Sequence, residues 1–539
     1  MHLEGSKNCR KPTRERSKTA ARPSPSWRRF GAGRERTLDR DYSGLLSGPP
    51  WPRLKAAAWW AAPALFCLAV HRDAFSTWFL ADDFHWLNSA RACLAGEEAL
   101  GTYFFAPMAQ GTVRPLSERA FFLGLYGIFG MQALPFRVAV FLTQFANLAL
   151  LAWVARRLTG SKAAGLIAPL LWVLNFASVT VLSWASSYNQ VACAFFLLCA
   201  FQFLLRYADT GKRRYWILQW AAFLLGFGAL ELNVVYPALA AAYTYLFERR
   251  LFRRTLWLFL PSLVFAALHR WAAGPATGVY AMHFDLAMAD TLGTYWDYTL
   301  GIPWLAAFLP PFLPGYPRLV AALTAFVGVA PLLYVLSCLW RRRFMPVFML
   351  AWFVVVIAPL LPLRHHVAEY YVFVPSLGVA WLAADALSRA LRGSVALRCV
   401  AVLWLCGYVA GLLPAARQHA SWLYQLSVRA RWLVEGVAHA RAEHPGKLVL
   451  LQGADGDVFW TTMTNRAYRL VDAEVFLTPE TSAAFAAHPD WEDPALYVLP
   501  RAQTREALLL GKAIVLEIGK TGLNDVTASY AARVLRDGE

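Results

Sequence analysis

The sequence predicts an all-α polytopic membrane domain of about eleven helices, followed by a small α/β domain outside the membrane. Three observations predict it. Of 539 residues, 58% are hydrophobic and only 16% charged, and apolar stretches near the twenty-residue length that crosses a bilayer recur along most of the chain. Short Lys/Arg clusters separate those stretches, as topology signals do. Beyond residue 416 the apolar spans stop, thirteen Lys/Arg face fifteen Asp/Glu, and short β-like runs alternate with helical ones.

The net charge of +18 is distributed as a membrane protein distributes it. Residues 1–55 hold fourteen Lys/Arg against five Asp/Glu, an excess of nine and so half of the total. This segment, rich in Arg, Ser, Pro and Gly, reads as a disordered basic cytoplasmic tail. The first apolar run begins too late for a signal peptide and lacks a small-residue cleavage site, so it stays as a helix. No basic surface interleaved with aromatics is present, which excludes a nucleic-acid partner.

Placing every basic cluster on the cytoplasmic side orders the membrane domain, residues 56–416. Helix one (about 56–79) runs outward and opens an outer loop, 80–134, in which Ala120 to Gly130 is too short to span and lies in the interface. Helix two (about 135–155) returns to Arg156 and Arg157. Helices three (163–181) and four (188–205) go out and back to Arg206 and Lys212. Helices five (215–230) and six (234–247) meet outside at Glu231. Helix seven (255–271) leads to a long outer segment, 272–317, where 291–313 is apolar but holds Asp297 and Pro310-Pro311, so it reads as re-entrant or interfacial. Helix eight (318–340) ends at Arg341-Arg342-Arg343, helix nine (344–362) goes out, helix ten (371–388) returns, and helix eleven (399–415) goes out again.

Residues 417–539 carry β-like runs at Lys447–Gln452, Glu474–Leu477, Leu496–Leu499 and Ala513–Ile518, with helices expected at 418–443, 502–510 and 526–536. Six of the eight cysteines lie in apolar spans, Cys9 is cytoplasmic and Cys93 is outside, so neither a disulfide framework nor zinc spacing is available.

The suspicious polar residues gather on the outer face. Asp82 and Asp83 open the outer loop, where two adjacent carboxylates are costly to desolvate and are normally kept for a proton, a metal or a cation. The alternative is that they only mark a helix boundary. Arg114, Glu231, and Arg364-His365-His366 followed by Glu369-Tyr370 lie on the same side. Arg suits phosphate because its planar fork makes bidentate charge-assisted hydrogen bonds. A divalent metal is the one cofactor left open, at His365 and His366, but adjacent histidines diverge on a helix and no further ligand spacing supports a site.

Four stretches resemble the GT-C superfamily of integral-membrane glycosyltransferases. They are Asp82-Asp83-Phe84 in the first loop, Arg114-Pro115-Leu116 before the second helix, Gly228 to Pro237 with its acidic Glu231, and Glu369 to Gly378 with its Pro375-Ser376. The closer similarity is to protein O-mannosyltransferases, aminoarabinose transferases and bacterial relatives of tetratricopeptide-containing mannosyltransferases. It covers roughly residues 56–415. One departure concerns the surroundings of Trp184, where Thr180 and Tyr188-Asn189-Gln190 stand in place of an acidic residue and an arginine. This leaves donor, acceptor and even activity open.

The resemblance implies transfer of a sugar from a polyprenyl-phosphate donor to a hydroxyl of a protein, lipid or glycan acceptor at the outer face of the membrane, a bacterial inner membrane in this reading. It implies Asp82 as general base and Asp83 as its partner. Arg364 with His365 or His366 would bind the lipid phosphate, Arg114 would position the loop, and Glu231 would bind sugar hydroxyls or orient Arg364. The rivals are a lipid-linked glycan ligase or polymerase, and a transporter or flippase, which would hold its ionisable residues near the bilayer midplane. In a cysteine-labelling scan, residues 341–343 are expected to label from inside and the tail beyond Ala416 from outside. Labelling of both from one side would overturn the helix count.

Overall fold

The computed structural model describes residues 50–108, 111–273, 278–481, 493–520 and 522–536, and the described residues from 56 onward form one compact unit. Residues 1–49, expected as a basic tail, lie outside the described residues. The first helix, Pro50–Val70, begins inside that expected tail, prolines being tolerated in a first turn where no N–H partner is needed. It also ends nine residues early, because Arg72-Asp73 interrupt the apolar run and His71 is tied by its Nε2 to the Val173 carbonyl at 2.9 Å.

Among the described residues, five helices are long and apolar enough to cross a membrane: Ala133–Thr159, Ala185–Thr210, Arg249–Ala273, Pro317–Trp340 and Val395–Glu443. The pair Lys162–Leu174 and Ala177–Ser183, bent by 72°, is a broken span or a re-entrant loop. Ala58–Val70 and Met345–Leu360 are shorter apolar helices. The segments expected as helices five, six and ten are helical but run only 14, 12 and 15 residues, at Arg213–Gly226, Tyr236–Phe247 and Ser376–Ala390. Helix length therefore does not establish eleven crossings, since a straight span needs about twenty residues. The 291–313 region forms two short helices, Met288–Leu300 and Ile302–Phe308, divided at Gly301 with φ +74°.

Two departures from the expected helices have local causes. Helix three breaks because Asn175 turns its side chain on the backbone: Oδ1 accepts from the Ala177 N–H at 3.1 Å and Nδ2 donates to the Thr299 carbonyl at 3.0 Å. That caps the second half of the helix and ties the bend to Met288–Leu300. Helix eleven does not stop near 415. Val395–Glu443 is one helix of 49 residues, because Ala416, Ala420, Leu423, Leu426, Ala430, Leu433 and Val437 keep a buried stripe at helical spacing after the all-round apolar span has ended.

That helix leads into the small α/β portion. Its sheet has the order β2-β1-β3-β4, with β1 Leu448–Gln452, β2 Val475–Leu477, β3 Ala513–Ile518 and β4 Leu523–Asp525. β1 pairs in parallel with β2 and β3, and β4 closes the edge antiparallel to β3. The run Leu496–Leu499 is not a strand of its own. It follows a 3-10 turn at Pro494–Tyr497 and adds a single bridge, Leu477 to Val498.

The core between helices is aromatic and closely packed. Trp352 and Trp381 meet edge to face at 4.8 Å, and Gly378 lets their helices approach. A Cβ added at Gly378 would stand 2.4 Å from the Met349 carbonyl oxygen and 2.9 Å from Trp352 Cβ. Gly378→Ala is therefore expected to cost about 1–3 kcal/mol by overpacking. It should appear as a lowered thermal unfolding midpoint in detergent, and an unchanged midpoint would mean that the two helices separate without loss.

Candidate active site

The acidic pair opens the helix Asp82–Leu94, where first-turn carboxylates suit the exposed N–H groups. The turn into it is strained. Ala81 is fully buried and holds φ +49°, a left-handed value that a side chain rarely adopts. This turn sends the two neighbouring carboxylates into different surroundings.

Asp83 is fully buried. Its Oδ1 accepts from the Ser186 N–H at 2.7 Å and from the Ser186 hydroxyl at 2.6 Å, and its Oδ2 accepts from the Leu80 N–H at 3.3 Å. The equally buried Arg137 stands 4.0 Å away and donates to the Thr77 and Trp78 carbonyls at 3.2 and 3.0 Å. Burial pushes the Asp83 pKa up while Arg137 and the three donors hold it down. Asp83 thus ties together the 77–83 loop, the 185–187 turn and the helix Ala133–Thr159.

Asp82 is exposed at its surface, with one side-chain donor, Asn465 Nδ2 at 3.2 Å. Although solvent reaches it, the dense protein around it disfavours its charge. Burial first, then Asp83, raise its pKa to about 6, against the lowering effect of the Asn465 hydrogen bond. Burial first, then Arg119, lower the pKa of His85, almost one turn on.

Arg114 and Glu231, expected to touch donor or loop, bind each other. The Arg114 Nε lies 3.0 and 2.9 Å from the two Glu231 oxygens, and its Nη1 donates to Glu118 at 2.6 Å. Glu118 is only 3% exposed and also accepts from Asn189 at 3.2 Å. Burial works against the guanidinium charge, but Glu231 and Glu118 more than offset it and hold Arg114 firmly protonated. The Leu116 N–H donates to the Gly228 carbonyl at 2.9 Å, and the Ser117 hydroxyl donates to the Ala229 carbonyl at 2.6 Å. Two stretches 117 residues apart are clamped into one unit.

Arg364 is exposed and ion-paired with Asp285 at 2.7 Å, and its Nε donates to His365 at 3.1 Å. His365 meets His283 and His366 meets Tyr280, so the two histidines do diverge. No group of three or more His, Cys, Asp or Glu side chains suited to a metal occurs among the described residues. Tyr370 is linked to the same region through Tyr371 at 4.6 Å and lies close enough to Asp82 to feel its charge. Glu369 instead accepts from Thr180 Oγ1 at 3.2 Å, and that hydroxyl is also 3.0 Å from His419 Nε2.

Several residues of this region were not singled out from sequence. Arg137 had a readable signal, a lone arginine inside an apolar span. His419, Asn465 and Trp460 had none, since they lie in stretches of ordinary helical or loop composition. Trp184 stands between Tyr370 and Trp460, each 6.2 Å away, and donates to the Leu80 carbonyl at 3.3 Å. Arg72 and Arg417, with Ala69, Val70 and Asp73, line a recess of about 240 Å³ at the end of the first helix.

No family model matches this chain, and no curated protein sequence matches it significantly. It resembles two solved GT-C glycosyltransferases. ArnT from Cupriavidus metallidurans, an aminoarabinose transferase solved bound to undecaprenyl phosphate and also in the apo state, is 13% identical. The match covers 87% of this chain and 94% of that one, with a TM-score of 0.45. The Archaeoglobus fulgidus oligosaccharyltransferase, tethered to an acceptor peptide containing the NVT sequon, is 11% identical. That match covers 78% of this chain and 63% of the other, with a TM-score of 0.44. Similarity at this level is too loose to assign chemistry.

The Arg114 clamp makes a direct prediction. Arg114→Ala leaves the buried Glu118 without its cation, which is expected to cost about 3 kcal/mol of stability. The thermal unfolding midpoint in detergent should fall, and Arg114→Lys should recover only part of it because lysine lacks the fork. Full stability in Arg114→Ala would remove the clamp from the account of the fold.

Proposed function

We propose that this integral membrane protein is a glycosyltransferase that moves a sugar from a polyprenyl-phosphate donor to an acceptor hydroxyl at the outer face of the membrane. The observation that carries the reading is the division of the acidic pair. One carboxylate is buried and saturated by donors, and its neighbour is open, nearly unpartnered and raised to about 6. A general base works best with a pKa near the operating pH, and Asp82 fits that role while Asp83 fits that of its support.

In this reaction Asp82 takes the proton of the acceptor hydroxyl as that oxygen bonds to the anomeric carbon. The bond from that carbon to the phosphate oxygen breaks on the opposite side, so the configuration inverts and the lipid phosphate leaves with the electron pair. Arginine stabilises the leaving charge. Arg364, beside His365, is the candidate for this task once a phosphate competes with Asp285. Glu369, with Thr180 and His419, offers an acceptor and donor set for sugar hydroxyls, and Tyr370 flanks it. Glu231 and Arg114 serve this site by shaping its wall, because each is already satisfied by the other. The acceptor can be a protein, a lipid or a glycan.

The test compares two isosteric variants for transfer of labelled sugar from polyprenyl-phosphate donors in liposomes. Asp82→Asn is expected to lose about a hundred- to ten-thousand-fold in rate while remaining folded. Wild-type activity should fall as pH drops through about 6, where Asp82 takes up its proton. Asp83→Asn is expected to lower thermal stability first, since Arg137 loses its counter-charge. Near-normal transfer by Asp82→Asn would remove Asp82 from the chemistry.

A further inference from the structure

The contact between Asp82 and the C-terminal region is built from far more than one hydrogen bond. The Thr461 carbonyl accepts from the strained Ala81 N–H at 2.9 Å. Asn88, on the helix that Asp82 starts, donates to the Asn465 and Arg466 carbonyls at 3.3 and 3.1 Å. Arg91 on that helix pairs with Asp472 at 3.3 Å, and the Asp472 carbonyl accepts from Arg441 of the long helix at 3.2 Å. The partners on the two sides of the contact are separated by more than 370 residues in sequence.

Backbone strain gathers at the same place. Of the four non-glycine residues with positive φ among the described residues, three stand on the two sides of this contact: Ala81, Arg466 and Asp472. Such conformations are costly alone and persist only where surrounding contacts over-determine them, which is typical of sites that must hold one side chain in place. A contact serving only to attach a peripheral domain would not need strain on both partners. The strained turns here present one polar side chain, Asn465, to Asp82.

We infer that Asn465 is a positioning residue that holds the Asp82 carboxylate, and that the 459–472 segment is a wall of the active site rather than part of an appended domain. The inference rests on the reading of Asp82 as the base. The amide of Asn465 can only donate through Nδ2, and that nitrogen is shared between Asp82 Oδ1 and the Thr464 hydroxyl at 3.3 Å. It therefore favours the charged form of Asp82 and fixes the direction in which the carboxylate accepts a proton. The other groups that face Asp82 electrostatically are Asp83 and Glu118, which oppose its charge, and Tyr370. Asn465 is the donor that counters them.

The test reads the proton affinity of Asp82 without using transfer. Dicyclohexylcarbodiimide modifies protonated carboxyls, so the pH dependence of labelling at Asp82, followed by peptide mass spectrometry on the full-length protein in detergent, reports its titration. The wild-type midpoint is expected near 6. Asn465→Ala removes the donor to the charged form, so the midpoint should rise by roughly one pH unit. Asn465→Asp keeps the shape, loses the donor and adds a like charge, and should move it further up. A residue that only braces the turn would leave the Asn465→Ala midpoint at the wild-type value. That result, or failure of both variants to fold, would overturn the inference. Absence of sugar transfer by wild-type protein would instead sink the glycosyltransferase reading and leave the titration result standing.

Discussion

A carboxylate and a guanidinium, both withdrawn entirely from water, are the constraint on which the rest of this structure depends. Asp83 and Arg137 would each be costly to bury alone, so the chain around them must supply every remaining partner. The 77–81 loop, Ser186 and the helix that carries Arg137 supply most of them, and of this pair only the Arg137 Nη1 is left buried without a hydrogen bond. Once those donors and acceptors are committed, the backbone before the Asp82–Leu94 helix has almost no freedom. The direction of Asp82 follows from that commitment. A buried pair of this kind adds little net stability, and its value lies in leaving a single arrangement open.

The same logic recurs in the Arg114, Glu118 and Glu231 cluster. There the guanidinium fork is used up on two carboxylates, which joins the 114–118 segment to the turn before Tyr236–Phe247. Charged residues of this region therefore divide into those paired in the interior and those at the surface. Asp83, Arg137, Arg114, Glu118 and Glu231 belong to the first group. Asp82, Arg364 and the recess between Arg72 and Arg417 present charge outward.

Much of the helical layout was legible in the sequence because apolar runs bounded by basic clusters carry a strong periodic and compositional signal. The bend at Asn175 was not, since a lone asparagine inside an apolar run shows neither its capping bond nor its reach to Thr299. The long helix was cut at 415 because composition changes there, although the buried stripe from Ala416 to Val437 continues. Three of the four strands were visible as short apolar runs, β4 at Leu523–Asp525 was too short and polar to show, and Leu496–Leu499 had the look of a strand but only one bridge to give. In the site, Asp82 and Asp83 were found together, yet their separation into open and buried carboxylates depends on Ala81 and on Ser186, a hundred residues away. Arg114 and Glu231 were each noticed without their mutual pairing, which no spacing reveals. His419 and Asn465 reach the site only through tertiary packing.

The helix Val395–Glu443 has a consequence for how the lipid environment reaches the chemistry. At 1.5 Å per residue its 49 residues form a rod about 73 Å long, more than twice the thickness of a hydrocarbon core. Its first half is apolar enough to cross a bilayer, and its far end grips the Asp472 turn through Arg441. Pro414 is the single joint at which its hydrogen-bond ladder is interrupted. A tilt of this rod would carry the Asp472 turn with it, and with that turn the segment that rests on Asp82. The longest helix thus places a single joint, Pro414, between an apolar span and the neighbours of the carboxylate.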